Sequence, residues 1–153
     1  MNNIALKHLK NLRAQTGAGV MDCRRALTVA GGDEEQAKKW LRAKGLQQAV
    51  KRADRQVNHG LIESYSHARG QIVSLIELLC ETDFVARTED FRQVAHELAL
   101  QVAAMQPQNK DDLLTQVYIR DNTKTVQDLV SELISKTGEN IKIGRLARWA
   151  IGE

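Results

Sequence analysis

The chain has 153 residues, 42% hydrophobic but only 4% aromatic, enough for one ordinary domain or two small ones around a mainly aliphatic core. One proline, Pro107, and so few aromatic residues exclude long Pro-rich linkers and a stacking platform for single-stranded nucleic acid. Net charge is +3, yet residues 1–58 carry 12 Lys and Arg against 5 Asp and Glu, while residues 59–153 carry 10 against 14, so the basic character is concentrated at the amino-terminal end.

From Asn3 to Gln15, Ala5, Leu9 and Leu12 recur at helical spacing, and Thr16-Gly17-Ala18-Gly19 breaks the helix. A second helix, Val20 to about Ala30, turns Val20, Cys23, Ala26, Leu27 and Ala30 inward and stops at Gly31-Gly32. Asp33, with Gln36 three residues on, caps a third helix that buries Ala37, Trp40 and Leu41 and is expected to end at Gly45. Residues 1–50 thus read as a three-helix bundle, too small to be secure without a neighbour or partner. Leu46 to Asn58 is polar and basic and reads as a helical connector, with the boundary between the two parts at residues 51–59.

The pattern changes at Gly60. Residues 61–66 and 71–80, rich in Ile, Val, Leu and Tyr and joined by His67-Ala68-Arg69-Gly70, predict a β-hairpin. Thr88 caps a helix whose apolar face is Phe91, Val94, Ala95, Leu98, Val102 and Met105, ended by Pro107. Leu114 to Ile119 reads as extended. Thr125 caps a further helix with Val126, Leu129, Val130, Leu133 and Ile134 inward, and Gly138 closes it before a last strand from Ile141 to about Ile151. Residues 60–153 therefore predict an antiparallel sheet with helices on one side, and the whole chain is α+β.

Chemistry-bearing motifs are sparse. Cys23 and Cys80 lie far apart, and His8, His59, His67 and His96 lack zinc-ligand spacing, so no metal or cofactor is expected. Gly17-Ala18-Gly19-Val20-Met21-Asp22 follows a helix and ends in Asp, which rejects a dinucleotide fingerprint, and no GxxxxGK[ST] or nucleophile elbow occurs. The chain reads as a non-enzyme. Two lone cysteines, the lack of an apolar leader after Met1 and the lack of any run of about 18 apolar residues fit a soluble cytoplasmic protein. Lys38, Lys39, Arg42, Lys44, Lys51, Arg52 and Arg55 define the rival reading of an RNA or ribosome binding module, against a plain solvated helix face. The unusual segment is Thr82-Asp83-Phe84-Val85, where a strand runs directly into an Asp-Phe loop. Phe84 there either folds back onto the core or is offered to a partner's pocket, and the residues alone leave both open.

Three segments, in order, resemble elongation factor Ts. They are Leu12-Arg13 with Thr16-Gly17-Ala18-Gly19-Val20-Met21-Asp22-Cys23-Arg24-Arg25-Ala26-Leu27 (followed by Gly32-Asp33 and Leu41-Arg42-x-Lys44-Gly45), Glu81-Thr82-Asp83-Phe84-Val85-Ala86-Arg87, and Gly138-Glu139-Asn140-Ile141. The resemblance implies a ubiquitin-associated-type helical domain that docks on elongation factor Tu through Arg13, Val20 and Met21. It also implies that Thr82, Asp83, Phe84 and Val85 disturb the magnesium and phosphate site of the GDP-bound GTPase, so that nucleotide leaves. Short members of that family resemble half of a longer relative, which implies a homodimer here, with Trp149 and Ile151 near the pairing strand. The chain departs from the family in a shortened stretch between Met105 and Leu114, in Val117 where proline is common, and in Gly144-Arg145-Leu146-Ala147-Arg148.

Overall fold

In a computed structural model, residues 6–153 of the protein are described. Helix α1 spans Leu6–Thr16, α2 Val20–Val29 and α3 Glu34–Arg52. The helix start expected at Asn3, with Ala5 inward, lies outside the described residues. Helix α1 closes where the Thr16 hydroxyl donates to the Leu12 carbonyl at 2.7 Å and Gly17 N–H to the Arg13 carbonyl at 2.8 Å. Asp33 caps α3 as its sequence suggests, accepting from Glu35 N–H at 2.8 Å and Gln36 N–H at 3.0 Å. Leu12, Cys23, Ala26, Leu27 and Ala37 form a small separate core, flanked by Leu9, Ala18, Ala30, Trp40 and Leu41.

Two expectations fail in this bundle. Val20, expected inward, is 44% exposed, because the first turn of α2 projects beyond the little core it helps to cover. Gly45 does not end α3, which continues unbroken to Arg52. A side-chain carbon at Gly45 would stand 3.0 Å from Ser135 Oγ and 3.6 Å from the Ser131 carbonyl oxygen, so this glycine permits a close helix crossing. The basic connector is in its first residues the last turn of a helix, with Lys51 and Arg52 at the negative end of the dipole.

Strand β1, His59–His67, and β2, Ile72–Cys80, form the expected hairpin, closed by one 3₁₀ turn at Ala68–Gly70. Strand β5, Ile141–Ala150, pairs antiparallel with the other edge of β2, giving the order β1-β2-β5. Between them lie α4, Asp83–Ala86, α5, Glu89–Met105, α6, Lys110–Thr115, the short pair β3, Val117–Tyr118, and β4, Asp121–Thr125, and α7, Val126–Thr137. Helix α7 begins in a reciprocal capping box between Thr125 and Asp128 and ends at Gly138, whose φ of 77° suits glycine.

Ile76, Leu78 and Cys80 from β2 and Ile141 and Ile143 from β5 pack against Phe91, Ala95, Leu98 and Val102 of α5 and Val130, Leu133 and Ile134 of α7. Helices thus cover one face of the sheet, as expected. Leu114 and Thr115, expected extended, close α6 instead, since Asn109 caps that turn by accepting from Asp112 N–H at 2.9 Å. Met105, expected on the apolar face, is the last residue of α5 and is 47% exposed, and Ile151 lies beyond the last strand.

The crossing of α3 over α7 at Gly45 yields a test. Gly45→Leu forces extra carbon atoms between the two helices and is expected to lower unfolding free energy by roughly 1–3 kcal/mol. The check is a lower urea midpoint at unchanged slope.

Candidate functional site

The segment after β2 is built from the end of the sheet. The β2–β5 ladder closes with the pair Cys80 and Ile141, and the next residues on each side exchange side-chain bonds. Glu139 Oε2 accepts from Glu81 N–H and Thr82 N–H, each at 3.1 Å, while Oε1 accepts from the Thr82 hydroxyl at 2.6 Å. In return, Glu81 Oε1 accepts from Asn140 N–H at 2.6 Å and from Arg55 at 3.3 Å. The Asn140 amide donates to the carbonyls of Ala53 and Arg55, at 3.4 and 2.8 Å, so the chain leaving α3 joins the same knot.

From this base Thr82 caps the single turn α4, accepting from Val85 N–H at 3.4 Å. Asp83 pairs with Arg87 at 2.8 Å and Val85 packs against the main core, but Phe84 is 79% exposed. Of the two fates open to Phe84, the fold back onto the core is excluded. An aromatic side chain so exposed, on a turn so closely held, is an available probe for an apolar pocket.

Burial pushes the Cys80 thiol up to about 11, with the Glu139 carboxylate adding to the rise, so this sulfur stays protonated and donates to the Thr82 carbonyl at 3.1 Å. Glu81 is held below the ordinary carboxylate range chiefly by the Asn140 N–H, against an opposing effect of burial, with Arg55 adding a smaller lowering. Glu77 is also lowered, by its side-chain bond from Arg145.

Arg13, Val20 and Met21 lie on the helical bundle, away from the turn in the chain. Arg13 is exposed, and Met21 is 69% exposed beside Val20, making an apolar spot with a cation near it in sequence. The basic residues of the rival reading are largely engaged. Lys38 pairs with Glu35 at 2.6 Å, Lys44 with Asp22, Arg55 with Glu81, and Arg42 donates to the Thr123 carbonyl at 3.2 Å. A polar cleft of about 300 Å³ between α3 and α7 is lined by Lys38, Lys44, Lys124 and their acidic partners. Among the described residues no group of His, Cys, Asp and Glu is arranged to hold a metal, and no helix is long and apolar enough to cross a membrane.

Reading the sequence missed Glu139 as the residue that holds the turn and Glu81 as its counterpart on the Asn140 N–H. The one signal was their place inside two of the family-like motifs, since two carboxylates 58 residues apart along the chain announce no contact.

The family profile described as Elongation factor TS matches residues 81–153, which span the turn and the final strand. Over nearly the whole chain the sequence is 42% identical to an elongation factor Ts of Thermotoga petrophila, covering 98% of this chain and 97% of that protein. It is 40% identical to an elongation factor Ts of Moorella thermoacetica, covering 98% and 96%, and 37% identical to one of Solidesulfovibrio magneticus, covering 100% and 99%. The chain belongs to the elongation factor Ts family. Its role is that of a translation elongation factor. The alignment to the Thermotoga protein runs over 193 residues where this chain has 153, so this chain is shorter than that relative across the aligned span.

The depressed carboxyl of Glu81 sets an acid dependence. Its contribution to stability is complete above the ordinary value of 4.5 and is lost as pH falls through its lower native value. Urea midpoints measured from pH 6 down to about pH 3 are expected to fall. Glu81→Gln is expected to flatten that fall in part, the remainder belonging to groups such as Glu77.

Proposed function

We propose that the protein is a guanine nucleotide exchange factor for elongation factor Tu, acting in the cytoplasm without chemistry of its own. The observation that carries this reading is Phe84, exposed at the tip of a turn whose backbone is tied down on both sides. The helical bundle docks on the GTPase through Arg13, Val20 and Met21. The turn Thr82, Asp83, Phe84 and Val85 then enters beside the magnesium and the phosphates.

The mechanism is linkage. A GTPase grips GDP through backbone N–H groups on the phosphates and through Mg²⁺. A protein that binds the emptied form better than the GDP form weakens GDP binding by the same factor. Phe84 acts as the wedge, its burial occurring only in the complex, and Asp83 competes for polar groups around the metal. Burying one Phe contributes about 1.5–3 kcal/mol, or about a tenfold to hundredfold change in equilibrium. The bundle must supply the remaining affinity.

Phe84→Ala is therefore expected to cut the maximal rate of GDP release by about tenfold to hundredfold with an unchanged melting temperature. Met21→Asp is expected to raise the concentration needed for half-maximal release instead. Stopped-flow release of a fluorescent GDP from elongation factor Tu measures both. Early unfolding of Phe84→Ala with normal exchange by the folded fraction would reject the wedge.

Self-association is part of the same proposal. Ile62 and Trp149, 62% and 60% exposed, share the sheet face away from the helices with Val73, Leu75 and Leu79. The outer edge of β5 is also unpaired among the described residues. A twofold copy laid on this face and edge would cover both. Sedimentation equilibrium at micromolar concentration is expected to give twice 17.1 kDa, and Trp149→Glu to return the mass to 17.1 kDa. A wild-type mass of 17.1 kDa would rule the dimer out.

A further inference from the structure

Phe84 is 79% exposed and belongs to neither core cluster, so its direction is set chiefly by the backbone of α4. That helix is a single turn of four residues, and a lone turn is not stable by itself because the first hydrogen bonds cost more order than they return. Something outside it must hold it. Asp83 with Arg87 is an exposed local pair and fixes little. Val85 and Ala86 both pack on the core and hold that side of the turn, but neither restrains its first residues, Thr82 and Asp83.

At the start of the turn the Cys80 thiol donates to the Thr82 carbonyl, and every other side-chain bond to Thr82 from outside the turn comes from Glu139. Its two oxygens meet three donors, the N–H groups of Glu81 and Thr82 and the hydroxyl of Thr82. The third bond has a second effect. With the Thr82 hydroxyl proton committed to Glu139 Oε1 at 2.6 Å, a lone pair of the same oxygen is left to accept from Val85 N–H and cap the turn. Glu139 makes no ion pair among the described residues, so its charge is met by these donors alone, which makes the bonds charge-assisted. Glu139 is itself placed by Gly138 in the left-handed conformation, and its N–H donates to the Thr137 hydroxyl at 3.3 Å.

We propose that Glu139 is a positioning residue for exchange: reaching across the end of the β2–β5 ladder, its carboxylate fixes Thr82 and through it the direction in which Phe84 is presented to the GTPase. The claim rests on the exchange reading given above and adds to it the residue that sets the geometry of the wedge. Glu81, facing the opposite way onto Asn140 N–H, is the mirror half of the bracket, but it holds the α7–β5 corner and not the turn.

The test uses the full chain with Glu139→Ala and Glu139→Gln, read by amide hydrogen exchange and by GDP release from elongation factor Tu. Glu139→Ala is expected to speed exchange of the Glu81, Thr82 and Val85 amides by at least about tenfold, with the amides of α5 and α7 unaffected. Its maximal GDP release rate is expected to fall by a similar factor at an unchanged half-maximal concentration, because the bundle still docks. Glu139→Gln keeps one acceptor in place and is expected to recover part of both, which also covers the case in which the Ala variant fails to fold. Unchanged exchange at Thr82 and Val85 would overturn the proposal, as would a full GDP release rate with a loosened turn. Loosening spread across α5 and α7 would likewise overturn it, by showing a general structural role. The wild-type chain and Phe84→Ala run alongside separate the two levels: an inactive wild type sinks the exchange reading and this role together, while an active wild type matched by Glu139→Ala sinks only the role.

Discussion

Strand β2 is hydrogen-bonded on both edges and buried on one face, and the rest of the core domain is arranged around that fact. Ile76, Leu78 and Cys80 lose their water to α5 and α7, while the intervening residues keep the other face half-open. A central strand of this kind cannot slip by one residue without turning its apolar set outward. Its end at Cys80 is therefore a fixed point in space, and the exposed aromatic turn begins two residues later. The position of the exposed turn follows from the packing of the sheet before any partner is considered.

The sheet also tolerates an irregularity. The register of β2 and β5 shifts between Ile76 and Leu78, where Glu77 lies opposite Gly144 and Arg145. A side-chain carbon at Gly144 would come within 2.3 Å of the Glu77 carboxylate, so the missing side chain makes room for it. Arg145 then closes over Glu77 with two side-chain bonds at 3.3 and 3.1 Å and one from its backbone N–H at 3.1 Å. This self-contained pair sits on the open face, which it shares with Val73, Leu75 and Leu79 and with the polar Ser64, Ser66 and Lys142, and its mutual pairing lowers the charge that face presents.

Much of this fold was legible in the sequence because strong local signals agreed. Asp33, Thr88 and Thr125 stood at helix starts and do cap them, and the hairpin carried apolar runs on both sides of a turn. What escaped were features set by contacts distant along the chain. Gly45 looked like a stop, yet it marks a crossing with Ser131 and Ser135, residues that nothing in its own neighbourhood foretold. Strand β4, Asp-Asn-Thr-Lys-Thr, has no apolar alternation and exists because it pairs with Val117 and Tyr118 and leads into the capping box of α7. At the site, the motif pointed to Phe84, but its exposure needed the structure, and the carboxylates beneath it were silent because their partners lie across the sheet.

The unbroken course of α3 has a consequence for affinity. Its first half belongs to the bundle that carries Met21 and its second half crosses α7 of the core, so the bundle and the aromatic turn are joined by a rod and not by a tether. A flexible tether lets a second contact explore a volume, and its effective concentration falls as that volume grows. A helical rod confines the second contact near one place. If a partner's two receptive spots match that separation, engaging the first delivers the second at high local concentration; if they are displaced by a few ångströms, the advantage disappears. For such a partner, selectivity can reside in the distance between two ordinary contacts, and a substitution that bends α3 would alter it without touching either one.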